Sequence, residues 1–393
     1  MSYSCLELLN GKNCMYCKYR VASVVRGASL WVALLFYCCA ANAAQYRFAL
    51  LIPNDTPFWS RVALFAQSAA EDLNVELHVL DGDADRHLML RQFERLLKER
   101  RKFDAIIFPN FLQTAETFIP LCESSPVICV LYNSGLEGEA AERLGSPKQR
   151  FEHWIAQLLP DDIGSATAVT VALIRDVRAS APGRRVNMIA VNGFAADGPA
   201  IAREKGLRTA VGLFDDVTLN QVVYTDWSAE DAESRTMGLL ERFPDTNAIW
   251  SANYRTTVGV LAALEKYQRT PGRDVWVNSY DINPTSLRQV SEGALTITAG
   301  GHYVEGAWAV ILAFDHLQGK PRPVATSVFH TPLLLANHRN AGKIIAVLKR
   351  LEDYPQTLRK VDFSRYSLAL NPTISAYNFS LESVIEQMAL TSN

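Results

Sequence analysis

The chain has 393 residues, of which 49% are hydrophobic and 20% are charged, and its formal net charge is −2. This length can bury a large core in two domains or lobes, and the composition is that of an ordinary globular protein. The near-neutral charge argues against the basic surface that nucleic-acid-binding proteins present, so no nucleic-acid partner is expected.

The first 44 residues predict a secretory signal peptide. Four basic side chains precede the apolar run 30–37, and an Ala-Asn-Ala sequence at 41–43 follows it. The apolar run is shorter than the roughly 20 residues that span a bilayer. We therefore expect export to the periplasm, with cleavage near Ala43 or Ala44.

The leader leaves two alternatives open. Met15 could be the true start instead of Met1, because a signal peptide does not need the residues before it. Cys38 and Cys39 suggest a lipid anchor, but neither follows the small residue that lipidation requires.

Five of the seven cysteines lie in this leader, so Cys122 and Cys129 remain in the exported part. An oxidising compartment would allow a disulfide between them. Cys122 is predicted at the end of a helix and Cys129 within a strand, and two buried free thiols are the alternative.

From Tyr46 onward, short apolar runs alternate with amphipathic stretches, which predicts repeated strand–helix units. Tyr46 to Asp85 is predicted as the first unit, with a polar loop after its first strand that carries Asn54, Asp55, Phe58 and Trp59. Further strands are predicted at 103–110, 127–133, 185–193, 217–224, 247–253, 275–281 and 295–299. Helices are predicted at 60–73, 88–98, 114–121, 164–178, 199–212, 230–242, 256–267, 284–292, 303–317 and 338–351.

Two segments show little pattern. Residues 134–150 are predicted as a polar surface excursion, and 355–371 as a loop before a short strand and helix at 376–388. The alternation elsewhere predicts an α/β fold with two doubly wound parallel-sheet lobes.

Most predicted strands end in a polar or aromatic residue, and ligands of parallel sheets bind beyond these carboxyl ends. If the two lobes face each other, these residues line one cleft. Aromatic faces with amide and carboxylate groups suit sugars and polyols. The residues are Asn54, Phe58, Trp59, Asn110, Tyr132, Asn133, Asp161, Asp162, Asn192, Thr225, Asp226, Trp227, Asn253 and Asp281.

Structural alternatives exist for each type of residue. An Asn or Asp at a strand end can simply cap the following helix, and the aromatic side chains can pack in the core. His302 lies beside a predicted strand end. We expect a structural role for it, and a contact with a ligand is the alternative.

No catalytic or metal-binding motif is recognised, so we expect neither an enzyme nor a cofactor. The Asp81-x-Asp83-x-Asp85 sequence resembles the start of a calcium loop, but Arg86 replaces the glycine that such a loop needs. A glycosidase would need two opposed carboxylates across its substrate, and that alternative is disfavoured here.

The order and spacing of several short motifs resemble the type I periplasmic binding proteins, the ribose- and galactose-binding group. The similarity covers about Tyr46 to Ala336. The motifs are Ile-Pro-Asn-Asp-Thr-Pro-Phe-Trp (52–59), Val-Leu-Asp-Gly-Asp-Ala-Asp (79–85), Asp-Asp-Ile-Gly (161–164), Ala-Arg-Glu-Lys-Gly-Leu (202–207), Tyr-Thr-Asp-Trp (224–227), Ala252-Asn253 and Ser-Tyr-Asp (279–281).

This resemblance implies a multi-strand hinge between the lobes and a set of ligand positions. The implied positions are Asn54, Phe58 and Trp59 in the first lobe and Arg203, Trp227, Asn253 and Asp281 in the second. Without the resemblance, Arg203 would be interpreted as a residue on the surface of a helix. The implied boundaries are a leader at 1–44, a first lobe at 45–160 and about 301–330, a second lobe at 161–300 and about 331–337, and a C-terminal extension at 338–393.

The chain departs from the pentose and hexose binders at its fourth strand, which ends in Tyr132-Asn133 instead of Asp-Arg, and at Gly300, where Gln is usual. These departures make it similar also to periplasmic autoinducer-2-type receptors. The resemblance therefore implies a monomeric substrate-binding protein that presents a small polar, carbohydrate-like ligand to an ABC importer through an inner-membrane permease. The alternative is a sensor subunit that signals through a membrane histidine kinase or cyclase.

Overall fold

The computed structural model describes residues 44–99, 101–180, 182–320, 327–352 and 358–390. The predicted signal peptide and its cleavage site lie almost wholly outside these residues. None of the helices in the described part of the chain combines the length and apolar character needed to span a membrane.

Strands and helices alternate along most of the described chain. The strands are β1 (Tyr46–Ile52), β2 (Val75–Asp81), β3 (Ala105–Pro109), β4 (Ile128–Tyr132), β5 (Trp154–Pro160), β6 (Val186–Asn192), β7 (Val217–Tyr224), β8 (Ala248–Ser251), β9 (Trp276–Val277), β10 (Ser279–Tyr280), β11 (Ile297–Gly300), β12 (Val328–Thr331) and β13 (Leu334–Asn337). The helices are α1 (Pro57–Asp72), α2 (Arg86–Lys98), α3 (Ala115–Ser124), α4 (Gly138–Leu144), α5 (Asp162–Ser180), α6 (Gly198–Val211), α7 (Ala229–Arg242), α8 (Tyr254–Lys266), α9 (Pro284–Ser291), α10 (Glu305–Leu317), α11 (Ala341–Glu352) and α12 (Leu381–Leu390).

Two parallel sheets organise the fold. The first has the order β12-β5-β4-β3-β1-β2, and the second has the order β7-β6-β8-β9. Their central strands are buried, as expected when helices cover both faces of a parallel sheet. The predicted α/β fold with two parallel-sheet lobes is confirmed.

A third, short sheet has the order β10-β11-β13, with β11 and β13 antiparallel. The chain passes between the first sheet and the other two at 160–162, at 300–305 and at 331–334. At two of these crossings the backbones are bonded, since Asp161 N donates to Thr331 O at 2.8 Å. These crossings are the multi-strand hinge. The exact residue boundaries of the lobes stay a prediction.

Four elements were missed by the sequence analysis. Helix α4 lies inside the predicted polar excursion, and strand β5 follows it directly. Strands β12 and β13 have only four residues each, and their pairing partners lie far away along the chain. Short strands of this kind depend on distant partners, which a local pattern does not reveal. The strand predicted within 376–388 is absent from the described residues there, and only the helix is observed.

The first helix begins earlier than predicted, and this changes the setting of two candidate residues. Pro57 occupies its first turn, where the missing N–H and fixed φ of proline suit a helix start. Phe58 and Trp59 therefore lie in the first turn of α1, and the prediction that they lie in a loop is wrong.

The C-terminal segment 358–390 packs against the first lobe. Helix α10 is buried along almost its whole length because the first sheet covers one side and this segment covers another. Trp308 stacks on Phe379 with ring centroids 4.9 Å apart, and Tyr366 lies 4.7 Å away. The predicted loop at 355–371 thus contains, in its described part, ordered 3₁₀ turns at Leu358–Lys360 and Phe363–Tyr366.

Cys122 and Cys129 are joined by a disulfide between α3 and β4, and both side chains are fully buried. The sequence left open whether these cysteines form a disulfide or are free thiols, and the structure shows the disulfide. Their predicted positions, at a helix end and within a strand, are confirmed.

Candidate functional site

Aromatic side chains from three elements meet beyond the carboxyl ends of β1 and β4. The rings of Phe58 and Trp59 are nearly perpendicular, with centroids 5.0 Å apart. The Phe58 ring also lies 4.7 Å from the imidazole of His302, and the Trp59 ring lies 6.1 Å from that of Tyr132. Phe58 and Trp59 are half-buried, so part of each remains available to a ligand.

Tyr132 lies beneath this aromatic pair and is fully buried. Its hydroxyl donates a hydrogen bond to the Leu51 carbonyl at 3.0 Å, and burial raises its pKa well above 10. In this structure Tyr132 supports Trp59 from below. Its predicted contact with a ligand stays a prediction.

The three predicted asparagines of this lobe organise its loops. Oδ1 of Asn54 accepts from Thr56 N at 3.2 Å, which forms an Asx turn before α1. Nδ2 of Asn110 donates to the Gly135 carbonyl at 2.7 Å, which ties two loops together. Asn133 has a positive φ of 65° and is 7% exposed. The hydrogen bonds of Asn54 and Asn110 in this structure are therefore structural ones, made within the loops. Their contacts with a ligand stay predictions.

A buried ion pair lies at the centre of the second lobe. Nε of Arg203 donates to Oδ1 of Asp162 at 2.7 Å, and Nη1 donates to the Ala252 carbonyl at 2.7 Å. The guanidinium also lies over the Tyr280 ring, 4.5 Å from its centroid. Burial raises the pKa of Asp162 above its usual range, although Arg203 opposes that shift. Arg203 is 3% exposed, so the interpretation of a helix-surface residue is wrong.

Asp281 lies beside this pair, directly after β10. Its φ is 63°, and its Oδ2 accepts a hydrogen bond from Tyr254 N at 3.2 Å. Burial raises its pKa, and the positive charges of Arg203 and Arg61 lower it. Because Arg61 belongs to α1 of the first lobe and Asp281 to the second, this interaction acts across the space between the lobes.

The lobes also approach each other at the loop after β4. A Cβ placed on Gly198, at the start of α6, would lie 3.3 Å from Oε1 of Glu137 and 3.6 Å from Gly135 N. Burial raises the pKa of Glu137, and Lys205 opposes that shift. Residues of the two lobes therefore lie close together at this loop.

The Trp227 side chain is held in a defined orientation on the second lobe. Its φ is 67°, and its Nε1 donates to Oδ2 of Asp197 at 2.8 Å. A Cβ on Gly193 would lie 2.0 Å from the indole ring, so the ring packs directly on this glycine. The half-buried ring is thus fixed on one face.

Asn253 forms a helix cap. Its Oδ1 accepts from Thr256 N at 2.7 Å, and Thr256 Oγ1 accepts from Asn253 N, which is a reciprocal capping box at the start of α8. The hydrogen bonds of Asn253 in this structure are therefore those of a helix cap. Its contact with a ligand stays a prediction.

Several residues of this region were missed by the sequence analysis. Arg61, Tyr280 and Tyr303 are close to the candidate residues, and the Arg61 guanidinium lies 5.9 Å from the Tyr303 ring centroid. His302, for which a structural role was expected and a ligand contact was the alternative, has its ring against that of Phe58. The sequence held one signal for this region. Strands β10 and β11 are parallel neighbours, so their carboxyl ends, and the residues that follow them, lie at the same edge of the sheet.

The arrangement combines flat aromatic faces with a few fixed polar groups in a space between two lobes, which suits binding of a small ligand. Among the described residues, no group of three or more His, Cys, Asp or Glu side chains could hold a metal ion. Arg203, Asp162 and Asp281 are hydrogen-bonded to each other or to backbone groups, so these three charged residues fix the geometry of the second lobe.

Comparison with known proteins gives a consistent result. A family model described as periplasmic binding protein domain matches residues 48–321. The structure is similar to a periplasmic sugar-binding protein from Pseudomonas fluorescens, with 25% identity, a TM-score of 0.76, and coverage of 86% of this chain and 99% of that chain.

Two further solved structures share the fold at lower identity. One is an ABC transporter periplasmic solute binding protein from Actinobacillus succinogenes with bound D-allose, with 20% identity, a TM-score of 0.66, and coverage of 76% of this chain and 100% of that chain. The other is an ABC transporter solute binding protein from Bacillus halodurans with bound myo-inositol, with 17% identity, a TM-score of 0.64, and coverage of 78% and 99%.

Proposed function

The chain belongs to the periplasmic binding protein family, and from this premise we propose that it closes around a small, polar, carbohydrate-like ligand and presents it to an ABC importer. Membership makes it a periplasmic ligand-binding protein rather than an enzyme. The ligand class, the importer and the residues that hold the ligand are the proposal.

One observation carries the ligand class. Half-buried aromatic rings lie on both lobes, Phe58 and Trp59 on the first and Trp227 on the second, and hydrogen bonds hold Arg203 and Asp281 in place. We propose that these rings flank the ligand. Aromatic faces cover the C–H patches of a sugar ring, and fixed carboxylate and guanidinium groups take its hydroxyls. The neighbours with bound D-allose and myo-inositol support the same class.

The charges of the centre support a neutral ligand. Arg203 is paired with Asp162, and the positive charges of Arg203 and, to a smaller extent, Arg61 act on Asp281. A ligand with a net charge would leave one of these groups unbalanced in a partly buried space, which is unfavourable. We therefore expect neutral sugars and polyols to bind more tightly than sugar phosphates or sugar acids.

The test is thermal unfolding of the mature protein against D-allose, D-galactose, D-ribose, D-tagatose, myo-inositol, and autoinducer-2 with borate. A ligand at 100 times its Kd stabilises the folded state by about 2.7 kcal/mol, which moves the melting midpoint measurably. A shift with a sugar or polyol that is lost in Trp227→Ala supports the proposal, and Glu292→Gln at an exposed helix end is the control. No shift with any of them would contradict the ligand class.

The second candidate is a sensor subunit that signals through a membrane histidine kinase or cyclase. The ordered C-terminal segment favours it, because 358–390 lies beyond the residues that the family model matches and adds surface to the first lobe. Co-purification from membranes with either a permease or a kinase separates the two candidates. A response to autoinducer-2 alone would favour the sensor.

A further inference from the structure

His302 is held at a crossing between the lobes by an unusual turn. Gly301, with a φ of 94°, directly precedes the 3₁₀ turn His302–Val304. A Cβ on this glycine would lie 2.4 Å from the Leu381 side chain, which belongs to the C-terminal segment. Two features therefore fix the backbone before His302. Gly301 has a left-handed conformation that a larger residue would not readily adopt, and the Leu381 side chain packs against it.

The surroundings of His302 are those of the candidate site. Its ring centroid lies 4.7 Å from that of Phe58, and the two planes are tilted by 41°. Burial, and after it the charge of Arg203, lower the pKa of His302 well below 6.5. The imidazole is therefore neutral at physiological pH, with one ring nitrogen that donates and one that accepts.

One of these nitrogens is unpaired. His302 is 4% exposed, and its Nδ1 has no hydrogen-bond partner among the described residues. A buried polar atom without a partner is unfavourable, and such atoms in native proteins call for an explanation. Other unpaired buried atoms, such as Nε1 of Trp154 and Trp250, belong to side chains of the hydrophobic core clusters. His302 differs from these two tryptophans because its neighbours are Phe58, an aromatic residue of the candidate site, and Arg203.

We infer that His302 is a ligand-binding and specificity-determining residue, whose Nδ1 forms a hydrogen bond with a hydroxyl of the ligand that lies against Phe58. This inference rests on the proposed function and deepens it. A hydroxyl both donates and accepts, so it is able to pair with a neutral imidazole in either tautomer. The residue thus selects for a hydroxyl at one position of the ligand ring.

The test compares two substitutions by calorimetry with whichever sugar or polyol of the panel gives the largest thermal shift. His302→Phe keeps a ring of similar size and removes the nitrogen. Thr298→Val is the matched control, because Thr298 is equally buried on β11 and its Oγ1 is also unpaired. We expect at least about a tenfold increase in Kd for His302→Phe and an unchanged Kd for Thr298→Val.

A deoxy series locates the hydroxyl. If one monodeoxy analogue binds wild type weakly but binds His302→Phe as well as the parent sugar does, the two partners are identified. An unchanged Kd in His302→Phe, or an equal loss in Thr298→Val, would overturn the inference.

A second measurement decides the inference even if no member of the panel binds, which would instead count against the proposed function. Without ligand, His302→Phe should melt at or above the temperature of wild type, because an unpaired polar atom has been removed. A clear fall relative to Thr298→Val would show that Nδ1 has a structural partner and would overturn the inference. If His302→Phe does not fold, His302→Leu is judged by the same two measurements.

Discussion

Arg203 and Asp162 form an ion pair at 2.7 Å in which neither side chain is more than 5% exposed. The pair joins α6 to the first turn of α5, and Arg203 extends it to the end of β8 through the Ala252 carbonyl. It therefore fixes three elements of the second lobe at the edge that faces the first lobe. Its two halves lie 41 positions apart in the chain, and only the fold brings them together.

We predict that removing one partner of this pair destabilises the protein strongly. Asp162→Asn should lower the free energy of unfolding by about 3–5 kcal/mol, because it leaves the buried Arg203 charge uncompensated. Urea denaturation measures the change. The double variant Asp162→Asn with Arg203→Met should recover part of the loss, and a double variant that loses the sum of the two single effects would contradict the prediction.

A second prediction concerns pH and Glu305, which begins α10 and is fully buried. Burial raises its pKa well above 4.5, although the hydrogen bond from Thr331 opposes that shift. The unfolded chain loses this proton near its ordinary pKa while the folded protein keeps it, so between these values the folded state binds more protons. Stability should therefore fall as pH rises from about 4.5 through the folded pKa.

Glu305→Gln should remove this part of the pH dependence, because glutamine still accepts a hydrogen bond from Thr331 but does not ionise. Above neutral pH the variant should be at least as stable as wild type in urea. The exposed Glu292→Gln should leave the pH profile unchanged. A Glu305→Gln profile with the slope of wild type would show that Glu305 is already ionised in the folded protein.

The sequence predicted those parts of the fold that depend on local pattern. Strands β3 and β4 were found because each is a short continuous apolar run, and helix α3 between them was found from its local apolar pattern. Strand β12 was missed because it is short, and its pairing with β5 joins residues about 170 positions apart along the chain. No local signal records such a pairing.

The site was predicted only in part, because the sequence shows local positions such as strand ends but not which distant residues meet. Strand ends drew attention to Trp227 and Asp281, and the charge of Arg61 in the first lobe acts on Asp281, while the contact of Trp227 with a ligand stays a prediction. Arg61 was missed because it lies inside a helix, and its proximity to Asp281 depends on how the lobes meet. The roles of Asn110 and Asn253 as backbone partners likewise depend on loop geometry.

A third prediction concerns the orientation of Trp227. Gly193→Ala should displace the indole, because a Cβ at this position would lie 2.0 Å from the ring. We expect ligand binding to weaken by about tenfold, equivalent to about 1.4 kcal/mol, as measured by calorimetry with the sugar found in the thermal screen. Gly238→Ala on α7 is the control, since no atom lies within 4 Å of the added Cβ. That control should keep its affinity and gain about 0.5–1 kcal/mol in stability, and equal affinities in both variants would contradict a fixed role for the ring.

The last prediction concerns how the C-terminal segment is attached. Asp315 of α10 is fully buried, and its carboxylate accepts hydrogen bonds from Leu368 N at 2.8 Å, Ala369 N at 3.2 Å and Tyr377 Oη at 2.9 Å, and also from Ser367 Oγ. Asp315→Ala leaves these donors without their acceptor. Ser367 is fully buried and the other donors are partly buried, and an unpaired buried donor costs about 1–3 kcal/mol. We expect a loss of at least about 3 kcal/mol in the free energy of unfolding, together with faster proteolysis confined to residues beyond 357. The exposed Glu292→Ala should change neither quantity. A segment that stays protected from protease in Asp315→Ala would show that its other contacts, such as those of Tyr366 and Phe379 with Trp308, are sufficient to hold it in place.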